Sequence, residues 1–130
     1  MFDNIAILKT AGALAGHASQ RQALTARNVA NADTPGYRAM DLPDFAETYR
    51  AASGGLAMRR TRPAHLGSFL GADGTPRPVE SGAEAAPNGN TVSLEKEMIR
   101  AVSLRHEHDL ALSVFSKARD ILRLSLGKSR

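Results

Sequence analysis

Two histidines that flank a glutamate, His106 and His108 around Glu107, are the residues of this 130-residue chain that most invite chemistry. Imidazole and carboxylate groups are common zinc ligands and acid–base groups. The surrounding pattern is helical, however, and residues two apart on a helix point in different directions, so the histidines cannot readily share one ion. We interpret them as exposed or helix-packing histidines and predict no metal site and no cofactor.

No other catalytic pattern stands out in the sequence. The serines lack a neighbouring histidine and acid in a triad-like arrangement, and Gly54-Gly55 lacks the following Lys-Ser or Lys-Thr of a phosphate-binding loop. His17 and His65 are isolated, and the chain has no cysteine for thiolate or disulfide chemistry. We therefore predict that the protein is not an enzyme.

The net charge of +4 permits an acidic partner but does not require one. The basic residues are scattered and aromatic residues make up only 5% of the chain, whereas a nucleic-acid footprint clusters its charge. We therefore predict no nucleic-acid partner. A basic helical module that binds nucleic acid or a membrane surface stays open as the alternative function.

The N-terminus does not have the pattern of a cleavable secretory signal. Asp3 stands where positive charge is expected, and Lys9 interrupts the apolar run. No segment has the roughly 20 apolar residues that span a bilayer. From these features alone we expect a soluble cytoplasmic protein.

The elements that would position any functional residue begin with a proline-free helical pattern from Asp3 or Asn4 to about Val29. Small and apolar residues recur along it at alternating spacings of three and four, which predicts one face of a coiled coil. This predicted face comprises Ile5, Leu8, Gly12, Ala15, Ser19, Gln22, Ala26 and Val29.

A second long helix is predicted from the N-cap Ser93 to about Leu126, and its apolar residues lie on two faces. We predict that one face packs on the N-terminal helix; it comprises Leu104, His108, Ala111, Phe115, Ala118 and Leu122. A helix that is apolar on two faces needs a second neighbour. We therefore assign the other face to contacts between subunits: Leu110, Val114, Ile121 and Leu124.

Between the two helices we predict a short helix capped by Asp41, with Pro43 in its first turn, that ends at Gly54-Gly55. A long mobile loop that leaves room for a β hairpin should cover residues 67–90, where Gly, Pro, Ala and polar residues dominate.

The predicted fold is therefore mainly α, with two long terminal helices packed as a coiled coil. Its segments are 1–37, 38–92 and 93–130, and the two ends form one unit.

The stretch that joins the first helix to the rest contains Thr34-Pro35-Gly36-Tyr37, which predicts a tight turn with φ > 0 at Gly36. The longer pattern is more specific. It resembles the N-terminal signature of the bacterial flagellar rod, hook and hook-associated proteins, and its residues are Asn28, Ala30, Asn31, Thr34, Pro35, Gly36 and Tyr37.

Two further features support this resemblance. The short length and the continuation Arg38-Ala39-x-Asp41 are most similar to the proximal-rod type. At the other end, Asn90-x-Val92-x-Leu94-Glu95-x-Glu97-Met98 resembles the start of the C-terminal helix of the same type.

The resemblance implies a structural subunit of the proximal rod that transmits motor torque across the periplasm and is required for flagellum assembly and motility. It implies a homo- or hetero-oligomeric helical assembly with other rod proteins, the rod–membrane-ring adaptor and the export gate. It also implies type III export without a cleaved signal. Phe45 and Tyr49 resemble the export-gate recognition motif, and an ordinary packing pair is the alternative.

Overall fold

The computed structural model describes residues 2–54 and 75–127, without the side chains at 2–5, 53 and 54. Over these ranges the elements are α1 (Phe2–Ala30), β1 (Met40–Asp41), α2 (Phe45–Gly54), β2 (Val79–Glu80) and α3 (Leu94–Ser125). The predicted mainly helical fold with two long terminal helices is confirmed, and α3 begins directly after Ser93.

The two long helices pack against each other in antiparallel directions. Asn28, near the end of α1, contacts Glu97 at the start of α3, whereas the first half of α1 shares an apolar cleft with Leu110 and Val114. Many of the buried positions of the two helices repeat every seven residues, as in a coiled coil. They are Ala11, Ala18 and Thr25 on α1, and Glu97, Leu104, Ala111 and Ala118 on α3.

Small side chains dominate this contact and allow the two helix axes to approach closely. Leu104, 1% exposed, is the largest fully buried apolar side chain among the described residues. The contact therefore contains few large apolar groups, and buried polar residues such as Thr25 and Asn28 lie beside them.

The buried face of α1 lies one residue before the predicted face. Val29 was assigned to the intrachain contact but is 38% exposed, whereas Asn28 is fully buried. The assignment of Val29 is wrong because polar residues occupy the inward positions. Arg21 and Asn28 bond to other parts of the chain there instead of burying apolar area.

Phe115 was also assigned to the intrachain contact, and this assignment is wrong because its side chain is 39% exposed. The alanines at positions 111 and 118 bring α3 close to α1 and leave the larger ring at the edge of the contact. Among the other predicted members, Leu104, Ala111 and Ala118 are buried, and Leu8, Ala15, Gln22, His108 and Leu122 are half-buried. Gly12, Ser19 and Ala26 are exposed, and the side chain of Ile5 lies outside the described residues.

The middle of the chain contains a short antiparallel strand pair, in which Met40 pairs with Glu80 and Asp41 with Val79. The predicted loop over 67–90 lies outside the described residues up to position 74, and β2 falls in its second part.

The start of α2 differs from the prediction. The carbonyl of Asp44, not a group of Asp41, accepts hydrogen bonds from the backbone N–H groups of Glu47 and Thr48. Asp41 lies in β1, where its carboxylate binds arginines, so its predicted role as the helix cap is wrong.

Candidate functional site

Asn28 is the centre of a polar junction that joins the two ends of the chain; we define this junction as Asn28, Tyr37, Asn90 and Glu97. The Asn28 side chain is fully buried. Its Nδ2 donates to the Met40 carbonyl at 2.9 Å and to Glu97 Oε2 at 3.2 Å. Its Oδ1 accepts from the Met40 N–H at 3.1 Å and from the Tyr37 hydroxyl at 3.3 Å. Both donors and both acceptor positions of the amide are therefore used, as a buried amide requires.

The tight turn after α1 has the conformation that the sequence predicts. The Tyr37 N–H donates to the Thr34 carbonyl at 3.3 Å, and Gly36 has φ +71°. The Gly36 N–H donates to the Asn88 carbonyl at 3.0 Å. A Cβ atom on Gly89 would lie 3.4 Å from the Cα of Gly36. The turn is therefore packed against the residues that lead into α3.

Asn90 binds the turn that follows α1, although it lies more than 50 residues further along the chain. Its side chain is 3% exposed, and its Nδ2 donates to the carbonyls of Asn31, Ala32 and Thr34 at 2.9, 2.8 and 2.9 Å. These carbonyls belong to the turn that follows α1, and an amide from a distant part of the sequence supplies their hydrogen bonds. Next to it, the Thr91 hydroxyl accepts the N–H of Ala39 at 2.8 Å.

An ion network extends the junction along the face between α1 and α3. Arg21 binds Asp41 through two hydrogen bonds, Nε–Oδ1 at 3.0 Å and Nη2–Oδ2 at 2.9 Å. Arg100 lies 3.7 Å from the same carboxylate and binds Glu97 at 2.8 Å. Glu97 in turn accepts the hydrogen bond from Asn28. One continuous set of polar contacts thus links α1, β1 and α3.

The protonation of Asp41 follows from this arrangement. Burial disfavours the charged carboxylate, but hydrogen bonds from Arg21, the Arg21 charge and the Leu42 N–H outweigh it and hold the pKa of Asp41 below its ordinary value. The same hydrogen bond, as the largest effect, raises the pKa of Arg21. The pair therefore stays ionised at neutral pH.

The structure brings most of the predicted motif residues together. Besides Asn28, Gly36 and Tyr37, Asn31 donates from Nδ2 to the Arg27 carbonyl at 2.8 Å and accepts from the Thr34 hydroxyl at 3.3 Å. The motif residues Ala30 and Pro35 are exposed. Four residues that carry the junction and its ion network were not predicted from the sequence: Arg21, Asn90, Thr91 and Arg100. Only the resemblance at Asn90 drew attention to that position.

Phe45 and Tyr49 lie on the side of α2 that faces α1. Their ring centroids are 5.3 Å apart. The Phe45 ring meets the edge of His17 at 5.5 Å, and the hydroxyls of Tyr49 and Thr10 are 2.9 Å apart. In the folded chain both side chains are therefore half-buried and pack against α1.

The four residues assigned to subunit contacts are exposed in the single chain: Leu110 by 54%, Val114 by 43%, Ile121 by 55% and Leu124 by 79%. Ile99, 69% exposed, lies on the same side of α3. At 100° per residue these five positions fall within an arc of about 80°. We call Ile99, Leu110, Val114, Ile121 and Leu124 the α3 stripe.

Groups with chemical reactivity do not converge in the described parts of the chain. His106 is exposed, and His108 lies 3.8 Å from Asp109. Residues 2–54 and 75–127 contain no cluster of His, Asp and Glu that could hold a metal ion. None of the helices in these ranges is long and apolar enough to span a bilayer.

Comparison with known proteins identifies the class to which this junction belongs. A family model described as "Flagella basal body rod protein" matches residues 10–38, the stretch from the middle of α1 through the tight turn. Among individual proteins, the flagellar basal body rod protein FlgB of Agrobacterium fabrum is 37% identical over 99 residues, which are 74% of each chain.

Two other relatives agree. FlgB of Salmonella typhimurium is 32% identical over 104 residues, 74% of this chain and 75% of the relative. FlgB of Escherichia coli is 30% identical over 106 residues, 75% and 76% of the two chains. The chain belongs to the FlgB family of flagellar basal-body rod proteins, and the predicted resemblance is confirmed.

Proposed function

We propose that this chain is a non-enzymatic structural subunit of the proximal rod that assembles, with copies of itself and other rod proteins, into a helical polymer. The polymer transmits motor torque across the periplasm and is required for flagellum assembly and motility. The observation that carries the proposal is the α3 stripe, an exposed apolar row along one side of a long helix.

The position of the α3 stripe supports a contact between subunits. It lies about a third of a turn from the buried face that contains Leu104, as the helical period places it. α1 covers that buried face. Leu110 and Val114 border α1 at the apolar cleft, but all five residues of the stripe remain exposed. Fully burying one such side chain stabilises a contact by roughly 1.5–3 kcal/mol, and a helical polymer repeats the contact in every subunit.

The closely packed helix pair suits a load-bearing subunit. The contact between α1 and α3 is made mainly by small side chains and is closed at one end by the polar junction. Close-packed interiors resist compression. We propose that 1–37 and 93–130 form the rod-building unit and that 38–92 is an accessory segment.

A matched pair of substitutions on α3 tests this function. Ile121→Asp places a charge on the α3 stripe, and Leu112→Asp makes the same change at a 48% exposed leucine on a different side of the helix. Ile121→Asp should leave the circular dichroism of the purified chain nearly unchanged but abolish rods and swimming. Leu112→Asp cells should still swim.

Two results would contradict the proposal. Normal swimming of the Ile121→Asp strain would mean that the α3 stripe is not an interface. Equal loss of rods in both strains would mean that the α3 stripe matters no more for assembly than the other sides of α3.

We further propose that the chain reaches the rod through type III export without a cleaved signal, and that the export gate binds Phe45 and Tyr49 before α2 packs on α1. The packing of both rings in the folded chain supports this order of events. Phe45→Ala should lower secretion of the chain. Thr10→Val, which removes the hydroxyl that contacts Tyr49 and donates to the Ala6 carbonyl, should not lower secretion. Equal secretion defects would assign the pair to folding alone.

The remaining proposed partner is the adaptor that joins the rod to the membrane ring. The alternative, a basic module for nucleic acid or a membrane surface, is not supported by any observation on the described residues. Co-purification of the chain with basal bodies, lost in the Ile121→Asp strain, tests the rod assignment directly.

A further inference from the structure

His17 connects α1 to the start of α2. Its side chain is 5% exposed, and Nε2 lies 3.0 Å from the carbonyl oxygen of Pro43. A carbonyl can only accept, so Nε2 carries the hydrogen and donates it. The edge of the same ring packs against Phe45, with the ring planes inclined by 62°. One imidazole therefore provides both a polar and an aromatic contact between the two helices.

The other ring nitrogen of His17 has no matching partner. Nδ1 is buried and has no hydrogen-bond partner among the described residues. In the neutral imidazole this atom is an acceptor without a donor. Protonation would turn it into a charged N–H donor that lacks an acceptor, which is considerably less favourable in a buried position.

The charged groups around His17 do not remove this difficulty. On α1, Arg21 lies one turn further along and repels a positive imidazole, while Asp41 and Asp44 from the segment before α2 attract it. Asp41 is already bound twice by Arg21. From α2, Tyr49 lines a cavity together with His17. Burial is the largest effect and, with Arg21, lowers the pKa of His17 below its ordinary value of 6.5.

We propose that His17 is a pH-sensitive connection: its protonation releases α2 from α1 and exposes Phe45 and Tyr49, while the α1–α3 pair stays folded. A cavity of about 320 Å³ between α1 and α2, lined in part by His17, Phe45 and Tyr49, lets water reach the ring as α2 moves away. The polar junction is built from other residues, so it does not depend on the charge of His17.

Nuclear magnetic resonance on the full-length chain tests the proposal. The imidazole nitrogens of His17 should show a hydrogen on Nε2 at about pH 7.5 and a titration below the ordinary histidine range. Amide exchange in α2, corrected for its intrinsic pH dependence, should become up to about tenfold faster for each pH unit as the pH falls from the ordinary histidine range to that titration, and should level off below it. Amides of residues 100–111 in α3 should keep their protection.

Two variants complete the test. His17→Gln keeps a donor for the Pro43 carbonyl but cannot titrate, so α2 protection should no longer depend on pH. His106→Gln removes an exposed histidine from α3 and should respond to pH as the unchanged chain does.

Several results would overturn the proposal: titration of His17 at or above 6.5, α2 amides that are already unprotected at neutral pH, or amide exchange in α2 that does not change as His17 titrates. A pH response that persists in His17→Gln would assign the effect to another group.

Discussion

Replacing Asn90 by alanine should destabilise the fold much more than replacing the nearby Asn88 by alanine. The substitution removes the amide that donates to the carbonyls of Asn31, Ala32 and Thr34. Asn31 and Thr34 carbonyls each keep a backbone hydrogen bond, whereas Ala32 receives only Asn90 among the described bonds. The Val92 N–H also loses its acceptor, Asn90 Oδ1, at 2.7 Å.

The magnitude follows from the two groups that lose their partners. A buried polar group without a partner costs about 1–3 kcal/mol, so two such groups could cost about 2–6 kcal/mol. Ala32 and Val92 are only half-buried, so we expect a loss in the lower part of that range, about 2–4 kcal/mol. For a chain of this size that corresponds to a fall of about 10 °C in Tm. Urea unfolding followed by circular dichroism should show a lower midpoint with an unchanged slope.

Two further variants test whether the side-chain amide of Asn90 is responsible for this loss of stability. Asn90→Asp replaces the donor by a carboxylate oxygen that faces three carbonyl oxygens, so it should be less stable than Asn90→Ala. Asn88→Ala removes an exposed side chain whose Oδ1 accepts the Asn90 N–H at 3.0 Å, and it should cost about 1 kcal/mol or less. If Asn90→Ala unfolds at the same urea concentration as Asn88→Ala, Asn90 does not hold the end of α1.

Other substitutions probe the turn, the helix contact and the ion network, each by urea unfolding. Gly36→Val should lower the free energy of unfolding by at least about 1–2 kcal/mol through backbone strain alone, because φ at Gly36 is +71° and a Cβ there would meet no atom within 4 Å. Gly12→Ala, in open space on α1, should instead raise the free energy of unfolding by up to about 1 kcal/mol. Leu104→Ala should cost about 2–5 kcal/mol, and a smaller loss would show that the helices close the gap. The pKa of Asp41 is lowered in the folded chain, so the unfolded state binds more protons as the pH falls below 3.8, and the free energy of unfolding decreases there. Asp41→Asn should reduce this loss of stability at acid pH. An unchanged loss in the variant would rule out Asp41 as its source.

Local features were predictable because nearby residues determine them. The positive φ of Gly36 follows from a Thr-Pro-Gly sequence, in which proline sets one central position of the turn and glycine accepts the other. The start of α3 after Ser93 follows from an N-cap residue with acids in the first turn, although the structure shows no side-chain cap bond there. Both signals act over a few residues.

The inward face of α1 was not predictable in the same way. Alanine, glycine and serine occur on every side of this helix, so apolar spacing distinguishes neighbouring faces poorly. The true face carries Arg21 and Asn28, which a search for apolar periodicity rejects. Their partners, Asp41 and Glu97, lie 20 and 69 residues away in sequence, so the contacts become visible only in the folded chain.

The pairing of β1 with β2 has a consequence for how this chain can be rebuilt. Together with the bonds of Asn90 to the end of α1, it fixes the entry and the exit of the middle segment beside the helix pair. Because Asp41 and Val79 are already paired, doubling the length of the chain that connects them costs only about 0.6 kcal/mol in closure entropy. A foreign domain could therefore be spliced between α2 and β2, as a tag for imaging or purification, without moving α1 relative to α3.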